Sequence, residues 1–252
     1  MDISSNKAYH FSQSIPQRRQ INEHDLKNWI PNMWLNTEKM YCENFKDLSF
    51  TSQPVNTATN IAFLIAGILL INFYLKTKKK SKWISTLIIL VFFIGIGSTI
   101  WHYSGTKIGK LLDVGPISLF MFVSIYYFLK KIVKMSGLKI IVSLIIFGML
   151  SLLSLLIVKE EPFKSSAGYL PALLVLALLT YYAVKKVNLI SKELFYAFIT
   201  FLLAIIFRST DFLVCNNFLI GTHFLWHILN GIFVYLLVKA LIKYETASLI
   251  PQ

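Results

Sequence analysis

The sequence predicts an all-α integral membrane protein, a bundle of seven transmembrane helices with the N-terminus outside and the C-terminus in the cytoplasm. Three observations carry that prediction. The 252 residues are 56% hydrophobic, with a mean hydropathy of +0.62. The apolar residues fall into seven runs, each close to the roughly 20 residues a helix needs to cross the hydrocarbon core. The cations gather on alternate loops.

The elements follow in order. Residues 1–54 read as a polar extracytoplasmic arm with no apolar stretch of the kind a cleavable signal peptide requires. Pro16, Pro31 and Pro54 interrupt it, and Trp29, Trp34 and Tyr41 suit a segment resting at the membrane interface. A single transmembrane domain, residues 55–243, comes next, and residues 244–252 form a short cytoplasmic tail. Its spans are expected at Val55–Leu75, Ile84–Trp101, Leu111–Leu129, Leu138–Val158, Gly168–Val184, Leu194–Val214 and Ile220–Leu241.

Charge sets the orientation. The formal net charge of +13 could suggest nucleic acid, but its distribution argues for a membrane. Lys76–Lys82 (KTKKKSK) carries five lysines; Lys130, Lys131, Lys134 and Lys139 follow span three, Lys185, Lys186 and Lys192 follow span five, and Lys239 and Lys243 close span seven. These fourteen cations, with Glu193 and Glu245, leave +12 on one side; the remaining eleven cations and ten acids leave +1 on the other. Positive loops stay cytoplasmic. An odd number of spans then places the N-terminus outside.

Polar residues within spans mark the candidate site, because an ionisable group in lipid is costly and needs partners. Ser98 and His102 end span two, Asp113 opens span three, and His223 and His227 open span seven. All five fall on the outer side. Residues four apart share a helix face, so Ser98 and His102 form one pair and His223 and His227 another. Gly95 and Gly97 allow a neighbouring helix to approach the first pair.

Three neutral imidazoles can hold zinc and leave a fourth position for water. A carboxylate can take that water's proton, and a hydroxyl can bond the oxyanion of an attacked carbonyl. Whether Asp113 is ligand or base is left open. Each residue also has a plainer reading: a membrane histidine as packing or relay group, Ser98 as helix packing, Arg208 and Asp211 as a supporting ion pair. Trp101, Trp226 and Tyr103 read as interfacial anchors. Pro116 and Pro171 are tolerated within spans where neighbours satisfy the freed carbonyls. Cys42 in the arm and Cys215 after span six face a compartment where disulfides persist, so they are a possible bridge, with two free thiols as the alternative.

Three blocks carry a family resemblance: YCENF…QPVNTATNIAFLIAG (41–67), GIGSTIWHYSGTKIGKLLDVGP (95–116) and FRSTDF…GTHFLWHILNG (207–231). The chain resembles the alkaline ceramidases, within the seven-span hydrolase superfamily that includes the adiponectin and progestin receptors and the Per1-like proteins. Its wording is closer to bacterial-type members. The resemblance implies zinc held by His102, His223 and His227, with Asp113 orienting or deprotonating water and Ser98 stabilising the oxyanion. It implies hydrolysis of ceramide, or a ceramide-like N-acyl lipid, to a sphingoid base and a fatty acid. It also implies a calcium site in the arm, of which Glu43 and Asn44 remain. Gln53 stands where a carboxylate is expected and the acidic stretch is shortened, which argues against tight Ca2+ binding.

Two other functions stay open. A lipid ester hydrolase would keep the metal site and change the bond. A receptor or transporter would carry a structural metal, but a transporter is expected to place ionisable groups near mid-membrane on broken helices. Retinal is disfavoured, since Lys239 is the sole lysine of span seven and sits at its cytoplasmic end. The expected partner is a membrane lipid, with no nucleic acid. The expected location is the bacterial inner membrane with the site on its extracytoplasmic side, or the membrane of the endoplasmic reticulum or Golgi. Zinc is favoured by the ligand types, other divalent ions remaining open.

Overall fold

The structure is a computed structural model and describes residues 41–44, 53–78 and 80–247. Most of the polar arm, including Pro16, Trp29, Pro31 and Trp34, and the end of the tail lie outside the described residues. The described chain is all helical. Seven helices are long and apolar enough to cross a membrane: α1 (Pro54–Leu75), α2 (Lys82–Ser104), α3 (Lys107–Ile132), α4 (Gly137–Ile157), α5 (Lys164–Lys186), α6 (Asn188–Val214) and α7 (His223–Ala247). Lipid offers the backbone no hydrogen-bond partners, so long apolar runs satisfy themselves as helices.

The helices outrun several expected spans because polar residues continue the turns beyond the apolar core. α2 reaches Ser104, and Gly105, in the left-handed region at φ 62°, ends it by donating its N–H to the Trp101 carbonyl at 2.8 Å. Thr106 caps α3 by accepting from the Gly109 N–H at 3.0 Å. The expected start of span seven, Ile220, is corrected to His223. Gly221, at φ 70°, breaks the chain there, and Asp211 Oδ1 accepts from the Thr222 and His223 N–H groups at 2.7 and 2.9 Å. Pro171 sits in the first turn of the regular helix Leu170–Lys186, where its missing N–H leaves no bond unmade.

α7 is the axis of the bundle and packs against α1, α2 and α6. Of its most apolar stretch 61% is buried, against 11% for α4. α4 accordingly presents Leu138, Ile141, Ile145, Met149, Leu152 and Leu156 outward, as lipid requires. Small residues set the closest approaches. A Cβ on Gly97 would collide with the Leu112 carbonyl, and one on Gly95 would lie 2.9 Å from the Phe63 Cβ. Both contacts draw α1 and α3 onto α2 beside Ser98 and His102.

Trp101 and Trp226, expected at the interface, are instead buried at 2% and 5% exposure. Each lies one residue before a site histidine, on helices packed on most sides. Tyr103, at 53% exposure, does face outward.

Candidate active site

His102 from α2 and His223 and His227 from α7 converge, with one nitrogen of each within 4.8 Å of the others. All three are buried. Spacing of four residues puts the two α7 imidazoles on one face, and the glycine-mediated approach of α2 brings the third.

The hydrogen bonds around the imidazoles determine where their lone pairs point. His102 Nδ1 lies 2.7 Å from Gln53 Oε1, which also accepts from Asn56 Nδ2 at 3.2 Å. An amide oxygen only accepts, so His102 carries its proton on Nδ1. His227 Nδ1 lies 3.0 Å from Thr59 Oγ1, whose own proton goes to the Val55 carbonyl at 2.8 Å. That hydroxyl therefore accepts, and His227 is likewise protonated on Nδ1. The two Nε2 atoms face one another at 3.1 Å. Each then brings a lone pair and no proton. Two opposed lone pairs repel unless a cation lies between them. His223 adds a third imidazole, and neither of its ring nitrogens has a hydrogen-bond partner. A buried polar atom left unpartnered is costly. The donor set fits a divalent metal with imidazole ligands.

Asp113 is not among the side chains whose ligand atoms converge. It sits half-buried on α3, where the Ser98 hydroxyl meets its carboxylate across the α2–α3 contact. Ser98 itself is buried.

Arg208 and Asp211 are not the ion pair expected from their spacing. Asp211 Oδ2 accepts from the Cys42 N–H at 2.9 Å, and Oδ1 serves Thr222 and His223. Arg208 Nε donates to the Ser165 carbonyl at 3.0 Å, and its guanidinium lies among the rings of Trp226, Tyr169 and Tyr41. The reason is geometric: α7 and the arm present three N–H groups to Asp211, and these are closer than the guanidinium.

Residues 41–44, the described part of the arm ahead of α1, lie against the site. Cys42 and Cys215 form a disulfide, with Cα atoms 5.1 Å apart. Tyr41 stacks on His223 with ring centroids 3.9 Å apart. Glu43 accepts from the Val55 and Asn56 N–H groups at 2.6 and 2.8 Å, so its carboxylate caps α1. Burial pushes the Glu43 carboxyl up from its ordinary value, while those two N–H bonds pull it down. Asn44 closes the same turn, and its side chain lies outside the described residues. Gln53, singled out in the sequence only as a neutral residue in place of a calcium-site carboxylate, and Thr59, not singled out there, are thus partners of the site histidines. The only hint of that role is the polar string QPVNTATN at the head of an apolar helix.

Beneath the histidines an apolar cleft runs into the bundle, walled by residues of α1, α2, α3, α5, α6 and α7. Trp226 and Tyr169 stand at its histidine end, and Phe233 and Leu237 lie further along α7. The run from Trp226 to Leu237 covers about 16 Å at 1.5 Å per residue.

A family model described as Ceramidase matches residues 36–252. No curated protein matches the chain.

Proposed function

Because the chain belongs to the ceramidase family, we propose that it is a zinc-dependent hydrolase that cleaves ceramide, or a ceramide-like N-acyl lipid, within the membrane. The observation that carries this is the pair of facing, unprotonated Nε2 atoms of His102 and His227, beside the unpartnered His223. These three residues would hold the metal. Bound zinc would supply Lewis acidity and lower the pKa of a coordinated water to about 7.

The chain's own residues supply the rest. Asp113 takes a proton from the attacking water as it adds to the amide carbonyl carbon, and delivers one to the departing nitrogen as the C–N bond breaks. The Ser98 hydroxyl donates to the oxyanion that develops on the carbonyl oxygen. Gln53 and Thr59 hold the imidazoles of His102 and His227 in the tautomers that present Nε2. The products are a sphingoid base and a fatty acid. The apolar walls of the cleft suit the acyl chain.

Orientation belongs to the same proposal. The disulfide lies at the histidine end and the lysines at the other, which supports a site on the extracytoplasmic side of a bacterial inner membrane. Glu43 and Asn44 are left as the remnant of a calcium site that has lost charge at Gln53. The test is release of fatty acid from ceramide and from a matched lipid ester by detergent-purified protein. Amide turnover lost in Asp113→Asn supports the proposal; turnover of the ester alone would overturn the amidase reading.

A further inference from the structure

We propose that Arg208 anchors a long-chain carboxylate, so that the fatty acid released by the reaction lies in the cleft with its head on this guanidinium. Arg208 reaches the site from α6. Its Nε–H is spent on the Ser165 carbonyl at 3.0 Å. The guanidinium lies 5.0, 5.4 and 5.8 Å from the ring centroids of Trp226, Tyr169 and Tyr41, and the Tyr41 hydroxyl bonds it.

Among the described residues no carboxylate lies in ion-pair contact with it. Asp211, one turn along α6, commits both its oxygens to backbone N–H groups. A cation at membrane depth is costly without a partner of opposite charge. Three aromatic faces and one carbonyl offset part of that cost, and Asp113 and Asp211 act on the guanidinium only through space, without contact. The terminal amino groups of a guanidinium present a planar fork that matches a carboxylate.

The position of Arg208 selects the ligand. Trp226 and Tyr169 are both rings against Arg208 and walls of the apolar cleft. Tyr41, the third ring, stacks on His223. Arg208 therefore lies directly behind the Trp226–Tyr169 end of the cleft, on the side of the histidines. An alkyl chain filling the cleft brings its terminal group to the Trp226–Tyr169 end, and a head group that passes these two rings meets this cation. The family reading assigns Arg208 no part in the reaction.

The inference rests on reading the cleft as the acyl site, but it is tested by binding without turnover. Equilibrium binding of oleate and of oleyl alcohol would be measured on the detergent-purified full chain. The proteins would be wild type, Arg208→Met, Arg208→Lys, and His223→Ala as a form deprived of a metal ligand. We expect oleate to bind about 10–100-fold more tightly than the alcohol in wild type and in His223→Ala. Arg208→Met should bring the two within about 2-fold, with the alcohol's affinity unchanged. A preference that survives Arg208→Met, or that vanishes in His223→Ala, would overturn the proposal; the second result would assign the carboxylate to the metal. Should Arg208→Met not fold, Arg208→Lys decides, since losing the fork must weaken oleate and spare the alcohol. If ceramide were never hydrolysed, the oleate preference would still stand or fall by these ratios.

Discussion

The two ends of the bundle both bury polar side chains, and they treat them in opposite ways. At the lysine end the groups satisfy each other: the Tyr127 hydroxyl donates to Glu245, Lys243 Nζ donates to Glu193 Oε1 at 2.5 Å, and Lys80 Nζ donates to the Tyr74 carbonyl at 2.6 Å. At the histidine end two lone pairs oppose each other, a third imidazole has no hydrogen-bond partner, and a guanidinium has no described carboxylate in direct contact. A fold pays for buried polarity only where it yields structure or chemistry. The lysine end yields structure and the histidine end yields a site.

Asp113→Asn should break the comparison most severely. Loss of the base is expected to reduce turnover by about 10²–10⁴-fold with zinc content unchanged, read by fatty-acid release alongside metal analysis. Turnover near wild type would remove Asp113 from the chemistry. Ser98→Ala comes next, costing about 10²–10³-fold in kcat if the hydroxyl meets the oxyanion. A rise in KM alone would assign Ser98 to packing.

Gln53→Ala and Thr59→Val act one step further out. Each releases the tautomer of one imidazole, and zinc affinity should fall by about 10–100-fold, measured by competition with a chelator. Equal affinity in the variants would show that the tautomers are set otherwise. Replacing Cys42 and Cys215 by alanine removes the tie between arm and α6, at a cost of about 2–5 kcal/mol. A lowered thermal midpoint is the expected readout. Tyr127→Phe, at the lysine end, is the control and the smallest effect. It should cost about 1–3 kcal/mol by leaving a buried carboxylate short of one bond, with zinc affinity and turnover per folded protein unchanged.

What the sequence discloses differs between fold and site for physical reasons. Seven helices were legible because lipid leaves a long apolar run almost no alternative. Their ends were not. The start of α7 is set by Asp211, a residue on another helix, and by the left-handed turn at Gly221. The histidines were legible through their spacing and their rarity in apolar segments. Gln53 and Thr59 were not, since Gln53 lies 49 residues from His102 and Thr59 lies 168 from His227. Both are ordinary residue types, and only the fold discloses which proton they hold. Arg208 and Asp211 show the converse error. Spacing of three permits an ion pair, but backbone N–H groups from α7 and the arm claim the carboxylate first.

The opposed lone pairs of His102 and His227, with His223, are proposed to bind a metal ion. The most direct test is the zinc content of detergent-purified wild type and His223→Ala, measured by mass spectrometry on samples of matched folded fraction. About one zinc per chain is expected in wild type and less than about one-tenth in the variant. Zinc absent from wild type, or equal in both proteins, would contradict it.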